Sequence, residues 1–393
     1  MTYMINRILS EENRKKYSQI LFYVALSIEL FLMILEKSEI LFEYESYVFR
    51  VTFLLTFLAV IIMKHDRKQW VVIAVIWCFT TLCYRLSGKN DLLRIATFMM
   101  ATRDIDLKKA MKYSFFVSIA GFLVIAALAL FGFLGDVVLI ADYGRGIADE
   151  SRLVLGFGHP NTLLGCVYVL VLMWLWIYGE NASLIKYGLV IILSILFSLL
   201  TRSRTGILML FMTLAIALIL RITKNLKSYK LPYIISFMVT PVFCMTTAVF
   251  AGLCAEGEYT TGGIGIPVWV WRMDVALNYR ISNLYYSVPE HGGIASNWKL
   301  FAGRGADGYF DMGWVRLFYW YGIVPTVLIA VAVALVIYVC YKKKDIWSVL
   351  ITLSVSVYTI IEATFVSRYI GRAFYLLIAG VYLCSLFKGK IDE

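Results

Sequence analysis

The segment GIVPTVLIAVAVALVIYVCY, residues 322–341, contains no charged side chain and is followed at once by Lys342-Lys343-Lys344. A helix that spans a membrane needs about 20 predominantly apolar residues. Cationic side chains beside a span mark its cytoplasmic end, so the three lysines orient this segment. The sequence therefore predicts a transmembrane helix over residues 322–341 that ends inside the cell.

Apolar segments of similar length recur along the whole chain. The 393 residues are 61% hydrophobic and 16% charged, and the mean hydropathy of +0.78 excludes an ordinary soluble fold. A short segment near residues 90–102 counts as a span, because the basic runs at 64–68 and 103–112 both belong in the cytoplasm. We predict an all-α, polytopic integral membrane protein with about 12 transmembrane helices and both termini cytoplasmic.

The cations of this predicted topology divide by type between the two sides of the membrane. Lysine dominates the inner side, whereas the predicted outer half contains only Lys37, Lys89 and Lys299. Lysine would orient the spans as well as arginine, so the outer arginines need another cause. Guanidinium is planar and donates to phosphate or carboxylate oxygens two at a time. The outer arginines are Arg50, Arg85, Arg94, Arg145, Arg152, Arg202, Arg204, Arg272, Arg280, Arg304, Arg316, Arg368 and Arg372.

These arginines predict an outward-facing basic chamber for an anionic substrate, most simply a lipid-linked phosphate or diphosphate. A charged side chain inside a bilayer costs about 2.5 to 3.5 kcal/mol, so Arg94 and Arg316 are expected to face a cavity. The alternative for any single arginine is a lipid headgroup at a helix end. Glu29, in the first span, is expected to pair with a neighbouring arginine.

Two predicted outer loops are long enough to build a site: residues 135–159, and residues 254–321 before the last three spans. A loop of more than about 15 residues is usually functional or disordered. Aromatic faces suit sugar rings as well as membrane anchoring. We treat residues 1–393 as a single transmembrane domain whose two outer loops form the site. The aromatic residues of the second loop include Trp269, Trp271, Tyr279, Tyr285, Tyr286, Trp298, Tyr309 and Trp314.

The first outer loop ends in Gly158-His159-Pro160-Asn161. Proline suits the first position of a helix, and a helix N-terminus attracts anions. His159 would then lie at the rim of the outer chamber. The alternative is that the segment serves only as a turn and a helix cap. The next outer turn, residues 201–206 (TRSRTG), holds two arginines close together, which again indicates capture of an anion.

Four short stretches resemble the polysaccharide polymerases of the O-antigen and capsule type, and more distantly the O-antigen ligases. Their order and their shared outer placement carry the resemblance. The stretches are 152–165 (RLVLGFGHPNTLLG), 203–206 (SRTG), Trp271-Arg272 with 274–277 (DVAL), and Asp307-Gly308-Tyr309 followed by Tyr321-Gly322-Ile323.

The resemblance implies inverting glycosyl transfer on the outer face of the bacterial plasma (inner) membrane. A growing glycan on undecaprenyl diphosphate would pass to a sugar hydroxyl of an incoming lipid-linked repeat unit. Such a transfer needs cations against the departing diphosphate and a base near the attacking hydroxyl. The residues assigned to the diphosphate are Arg152, Arg202, Arg204, Arg272 and Arg304.

Asp307 is the first candidate for the base, because by our matching it lies where the ligase relatives have a histidine. His159 is the second candidate, with Asp311 and His291 behind it. An alternative for Asp307 is a turn residue beside Gly308. No metal and no cofactor are expected, since no His/Cys cluster has metal-ligand spacing.

The expected partners are undecaprenyl-diphosphate-linked oligosaccharide, membrane lipids, a chain-length regulator and a flippase, with no nucleic acid. Two other functions stay open. One is a ligase-type transferase that uses another acceptor. The other is a flippase or transporter for lipid-linked oligosaccharide, which inverted repeats and midplane charges would favour.

Overall fold

The computed structural model describes residues 10–141, 149–261, 267–363, 366 and 370–387. The described part of the chain is mostly helical, with 74% of its residues in helices. Within the described residues, nine helices are long and apolar enough to cross a membrane, and Ile346–Ile361 and Tyr375–Ser385 are shorter apolar helices. The chain is therefore a multi-pass helical membrane protein, as predicted. Arg145 and Arg368, both in the predicted outer set, lie outside the described residues.

The helices are numbered along the chain. They are α1 (Glu11–Glu36), α2 (Glu45–Ile62), α3 (Arg67–Ser87), α4 (Asp91–Ala101), α5 (Leu107–Leu130), α6 (Pro160–Tyr178), α7 (Leu184–Thr201), α8 (Arg204–Ile222), α9 (Leu231–Phe237), α10 (Cys244–Thr261), α11 (Val268–Ala276), α12 (Asn283–Tyr286), α13 (Gly313–Tyr321), α14 (Ile323–Lys343), α15 (Ile346–Ile361), α16 (Ile370–Ala373) and α17 (Tyr375–Ser385).

Two features interrupt this regular helical pattern. A π-helical turn at Met238–Phe243, which contains Pro241, joins α9 to α10 within one apolar helix. Proline removes a backbone donor, and a π-turn accommodates the break. The other feature is a two-stranded antiparallel hairpin, β1 (Val138–Ala141) and β2 (Glu150–Leu153), in the first predicted outer loop.

Helix α3 has two cationic residues at its C-terminal end. It begins at a capping box, in which the Asp66 carboxylate accepts from the Gln69 N–H at 2.7 Å and the Gln69 amide oxygen accepts from the Asp66 N–H at 3.1 Å. It ends at Gly88, whose φ of 77° is left-handed and favours glycine. Arg85 lies in the last turn, and Lys89 follows the cap.

The chain folds into two compact units, each assembled from segments that are distant in the sequence. The first unit comprises Met1–Lys64, Asp104–Leu226 and Tyr369–Ile378. In it, α1 packs on α2 and α5, α6 packs on α5, α7 and α8, and β2 contacts α7.

A buried ion pair joins two distant segments of this first unit. Arg372 of α16 pairs with Glu29 of α1, and the Thr52 hydroxyl donates to the same carboxylate at 2.6 Å. Glu29 thus pairs with an arginine, as predicted.

The second unit comprises His65–Arg103, Lys227–Arg368 and Ala379–Glu393. Helix α13 is central to it and contacts α3, α10, α14 and α15. The Trp314 indole N–H donates to the Ser356 carbonyl at 3.0 Å, and the rings of Trp298 and Phe318 stack at 4.4 Å. Much of predicted loop 254–321 is therefore folded and packed. Trp269 and Trp271, in contrast, are exposed.

Candidate functional site

The five arginines assigned to a diphosphate are distributed over both units. Arg152, Arg202 and Arg204 belong to the first unit, and Arg272 and Arg304 to the second.

Arg152 is buried in strand β2, and its Nη2 lies 2.7 Å from Oε2 of Glu150. This pair ties the guanidinium to its own hairpin. The role of Arg152 toward a diphosphate stays a prediction.

The arginine turn of residues 201–206 is a tight connection between α7 and α8. Arg202 caps α7 in the left-handed region with a φ of 50°, and Arg204 is the first residue of α8. Both side chains are exposed. A Cβ added at Gly206 would lie 2.6 Å from Cδ2 of Leu164, so this glycine lets α8 approach α6. The matched SRTG stretch thus has a packing role, and it contributes Arg204, one of the two exposed cations of this turn.

His159 lies where the sequence predicts it, at the start of α6 with Pro160 in the first turn. Its Nδ1 accepts from the Asn161 N–H at 3.2 Å. The segment therefore has the turn-and-cap geometry that was one of the two interpretations. The ring is exposed, and its role as a base stays a prediction.

Helix α11 presents Arg272 to the exterior. Asp274, in the same matched stretch, is buried and accepts from the N–H groups of Ile281 and Ser282 at 2.7 and 3.2 Å. Its function in the fold is to close the turn that contains Asn278 and Tyr279. That turn delivers Arg280 into the interior of the second unit.

The second unit contains an open pocket of about 400 Å³, which we call the basic pocket. Arg304 and Asp307 were predicted as site residues, Arg85 belongs to the outer arginines that predict a basic chamber, and Lys89 had no assigned role. Three cations against one carboxylate give the pocket a net positive charge, and such a surface attracts anions. The lining residues are Tyr84, Arg85, Ser87, Gly88, Lys89, Arg304, Gly305 and Asp307.

Lys89 and Asp307 form an ion pair inside the basic pocket. The two side chains differ greatly in exposure, with fractions of 13% for Lys89 and 80% for Asp307. The Lys89 ammonium also lies 5.7 Å from the ring centre of Trp320, within the range of a cation–π contact. The lysine is therefore held by the protein, and the aspartate faces solvent.

The segment that follows Asp307 is fixed by side chains of α13. The Trp320 indole N–H donates to the Gly308 carbonyl at 2.9 Å, and Nε of Arg316 donates to the Phe310 carbonyl at 3.0 Å. The guanidinium carbon of Arg316 lies 3.5 Å from the ring centre of Tyr309. These contacts hold the segment against α13.

Arg316 itself is only 1% exposed. Burial lowers the pKa of its guanidinium, while Tyr309 and, to a smaller extent, the charge of Asp311 oppose that shift. The expectation that Arg316 faces a cavity was wrong, since Tyr309 covers it. Arg94 is also buried, and its Nη1 lies 3.8 Å from Oδ1 of Asp91. Both cations are accommodated by protein groups, which removes the cost of exposing them to lipid.

A second charge cluster lies beside this segment. Arg280 pairs with Glu362, and its Nε lies 3.7 Å from Oδ2 of Asp311. Glu362 directly follows α15 and lies outside that helix. Burial raises the pKa of its carboxyl to about 7, although Arg280 opposes the shift. Arg368 and Arg372 lie close to Glu362 in the sequence. In the structure, however, Arg372 pairs with Glu29.

The remaining candidate bases have less open surroundings than Asp307. The His291 ring stacks on Tyr285 at 3.9 Å, and its Nδ1 lies 2.8 Å from the Tyr285 carbonyl oxygen. Asp311 is half exposed and shares Arg280 with Glu362. Among the described residues, no group of three or more His, Cys, Asp or Glu side chains could hold a metal ion.

No protein-family model matches this chain, and no curated protein or solved structure matches it. The basic pocket offers two guanidinium groups and an ammonium for an anion with several oxygens, and one carboxylate that can accept a proton.

The sequence did not predict a role for Lys89, because nothing distinguished an outer lysine from the lysines that set the orientation of the spans. The available signal was its rarity, since few lysines fall in the predicted outer half. Glu362 was missed as a partner of Arg280 because the two are separated by 82 residues.

Proposed function

We propose that this chain is a polysaccharide polymerase that joins undecaprenyl-diphosphate-linked repeat units by inverting glycosyl transfer. The observation that carries the proposal is the basic pocket, in which Arg304 and Asp307 meet Arg85 and Lys89. Asp307 comes from a stretch that resembles the polymerase family. The pocket combines a cationic surface for a diphosphate with a carboxylate for a hydroxyl proton.

The proposed topology has 12 spans, with both termini in the cytoplasm and the basic pocket on the outer face of the bacterial plasma membrane. An eleven-residue helix, α4, covers most of the short segment that this count requires. The arrangement also leaves the lysine-rich connections inside, in agreement with the positive-inside rule. The proposed partners are membrane lipids, a flippase that delivers the repeat unit and a regulator of chain length.

In the proposed reaction, the acceptor hydroxyl oxygen bonds to the anomeric carbon of the donor glycan. The bond from that carbon to the diphosphate oxygen breaks, and its electron pair leaves with the lipid diphosphate. Arg85, Lys89 and Arg304 neutralise the negative charge that develops there. Asp307 accepts the hydroxyl proton. In this proposal, side-chain cations supply the charge neutralisation, and no metal is required.

The other predicted site residues enter the proposal as separate hypotheses. Arg272 in the second unit, and Arg152, Arg202 and Arg204 in the first, are proposed diphosphate ligands, with His159 as the second candidate base. Arg202 and Arg204 are exposed, so their substitution tests ligand binding without a large cost in stability.

The test uses the purified full-length protein with a lipid-diphosphate-linked repeat unit and no nucleotide sugar, with and without a chelator. The expected result is a ladder of products that survives the chelator. Arg304→Ala and Asp307→Asn should abolish the ladder. Lys299→Ala is the matched control, because Lys299 is an exposed cation of the same outer segment that does not line the basic pocket. Its ladder should equal that of the wild type.

Two outcomes would replace this function with another. Transfer of the glycan to a different acceptor, without a ladder, identifies a ligase-type transferase. Movement of labelled lipid-linked oligosaccharide across a vesicle bilayer, again without a ladder, identifies a flippase. A ladder that is unaffected by Arg304→Ala and Asp307→Asn would remove the basic pocket from the reaction.

A further inference from the structure

The ion pair between Lys89 and Asp307 places a carboxylate where an anionic ligand of the basic pocket would bind. A carboxylate and a phosphate offer similar oxygen acceptors to an ammonium. Lys89 cannot give its full set of donors to both at once. The pocket therefore contains its own competitor for any phosphate ligand.

The exposures of the two partners show which one can leave. Lys89 is 13% exposed, and Trp320 lies within cation–π distance of it. Asp307 is 80% exposed, so water can replace its contact with the lysine. Solvent at the exposed carboxylate also screens its attraction to the lysine. A diphosphate, which carries more charge than a carboxylate, would displace Asp307 and leave Lys89 in position.

The chain before Asp307 borders open space, whereas the chain after it is tightly packed. A Cβ added at Gly303 or at Gly305 would meet no atom within 4 Å, and Gly305 has a φ of 89°. A Cβ added at Gly308 would lie 2.2 Å from Val288, so that position is tightly packed. The Asp307 N–H donates to the Gly305 carbonyl at 2.8 Å, so it is the exposed side chain that has room to leave Lys89 while the backbone stays in place.

We propose that Asp307 is an internal anion that occupies the diphosphate position of the basic pocket until the donor displaces it. On displacement, Lys89 stays in place and donates to the donor's diphosphate instead of the carboxylate, and both carboxylate oxygens of Asp307 become available to the acceptor hydroxyl. The donor must then bind before the proton is removed. The ordering rests on the proposed function, whereas the competition for Lys89 concerns binding alone.

The test measures binding of inorganic pyrophosphate to the full-length protein in a neutral detergent by isothermal titration calorimetry. Asp307→Asn removes the internal competitor and should tighten binding about two- to fivefold, the range expected for an ion pair that solvent screens at its carboxylate. Lys89→Met should weaken binding. In the Lys89→Met background, Asp307→Asn should have a smaller effect, because the two residues are coupled.

Glu290→Gln is the matched control for a general change in charge. Glu290 is an exposed carboxylate of the same long outer segment, and it does not line the basic pocket. Its loss should leave pyrophosphate binding within experimental error. Equal tightening in Glu290→Gln and Asp307→Asn would overturn the proposal, because it would show a long-range field instead of competition for Lys89.

The outcomes separate this inference from the proposed function. If pyrophosphate binds and Lys89→Met weakens it, but Asp307→Asn leaves it unchanged, the competition is refuted and the diphosphate pocket stands. If pyrophosphate does not bind the wild type or Asp307→Asn, the diphosphate pocket itself fails. A parallel titration with inorganic phosphate distinguishes the ligand class. Equal binding of phosphate would assign the pocket to a single phosphate group, as in a lipid headgroup, and would overturn the diphosphate assignment.

Discussion

Arg280 forms an ion pair with Glu362, and the two side chains are only 11% and 12% exposed. An ion pair in such a position loses more hydration than an exposed one. Burial outweighs Arg280 at this carboxyl, and its pKa rises from an ordinary 4.5 to about 7. Because of this raised pKa, the free energy of unfolding depends on pH in a range where most carboxylates are already ionised.

The sign of this link follows from the raised pKa. The fold favours the protonated carboxyl, so its contribution is complete below pH 4.5 and is lost as the pH rises through 7. The loss amounts to about 3 kcal/mol. Glu362→Gln stays neutral, so the difference in stability between the variant and the wild type should shift in favour of the variant as the pH rises from 4.5 to 8. Thermal unfolding of both proteins across this range checks it, and parallel curves would contradict the burial effect.

Replacing Arg316 by lysine should destabilise the protein. Arg316→Lys keeps the charge but loses the Nε donor to the Phe310 carbonyl and the planar contact with Tyr309. We expect the free energy of unfolding to fall by about 2 kcal/mol. The control is Arg67→Lys, at an exposed arginine of the same unit, which should change stability by less than about 0.5 kcal/mol. Equal effects of the two substitutions would refute a specific role of the guanidinium.

Gly206 and Gly188 should respond in opposite ways to alanine. At Gly206 the added Cβ would lie 2.6 Å from Leu164, whereas at Gly188 no atom lies within 4 Å. Gly206→Ala should destabilise the protein by about 1 to 3 kcal/mol, and Gly188→Ala should leave stability unchanged or raise it slightly. Adding Leu164→Ala to Gly206→Ala should relieve part of the overpacking. Additive losses in the double variant would show that the two residues do not share this contact.

The ion pair between Glu29 and Arg372 should be necessary for the stability of the first unit. Glu29→Gln would leave the buried Arg372 guanidinium without its counter-charge, at a cost of about 3 to 5 kcal/mol. Glu12→Gln, at an exposed carboxylate of the same helix, should have little effect. Unfolding midpoints in detergent measure both, and similar midpoints for the two variants would contradict the role of the pair.

The helices were predictable because the signals that define them are local. The apolar stretch at 322–341 predicts a helix that the structure gives as Ile323–Lys343, and Pro160 begins α6 as expected. Apolar length, flanking cations and helix-starting residues all act within a few turns of the chain. The hairpin of β1 and β2 escaped prediction because its pairing depends on two short strands with little hydrophobic pattern of their own.

The candidate site was predictable only in part. Arg304 and Asp307 were proposed from a motif and from the arginine bias, and both line the basic pocket. Lys89 could not be assigned, because it lies 218 residues from Asp307 in the chain. Arg152 illustrates the opposite limit. The motif that contains Arg152 is visible in the sequence, but the pairing of its guanidinium with Glu150 is visible only in the structure.

The sequence by itself determined that this chain is a helical membrane protein, because backbone groups in a bilayer must be satisfied within each apolar segment. Only the tertiary structure decided which charges meet. Lys89 with Asp307, Arg280 with Glu362 and Glu29 with Arg372 are separated by 218, 82 and 343 residues. Helix packing brings these partners together, and a buried charge is stable only where such a partner is present.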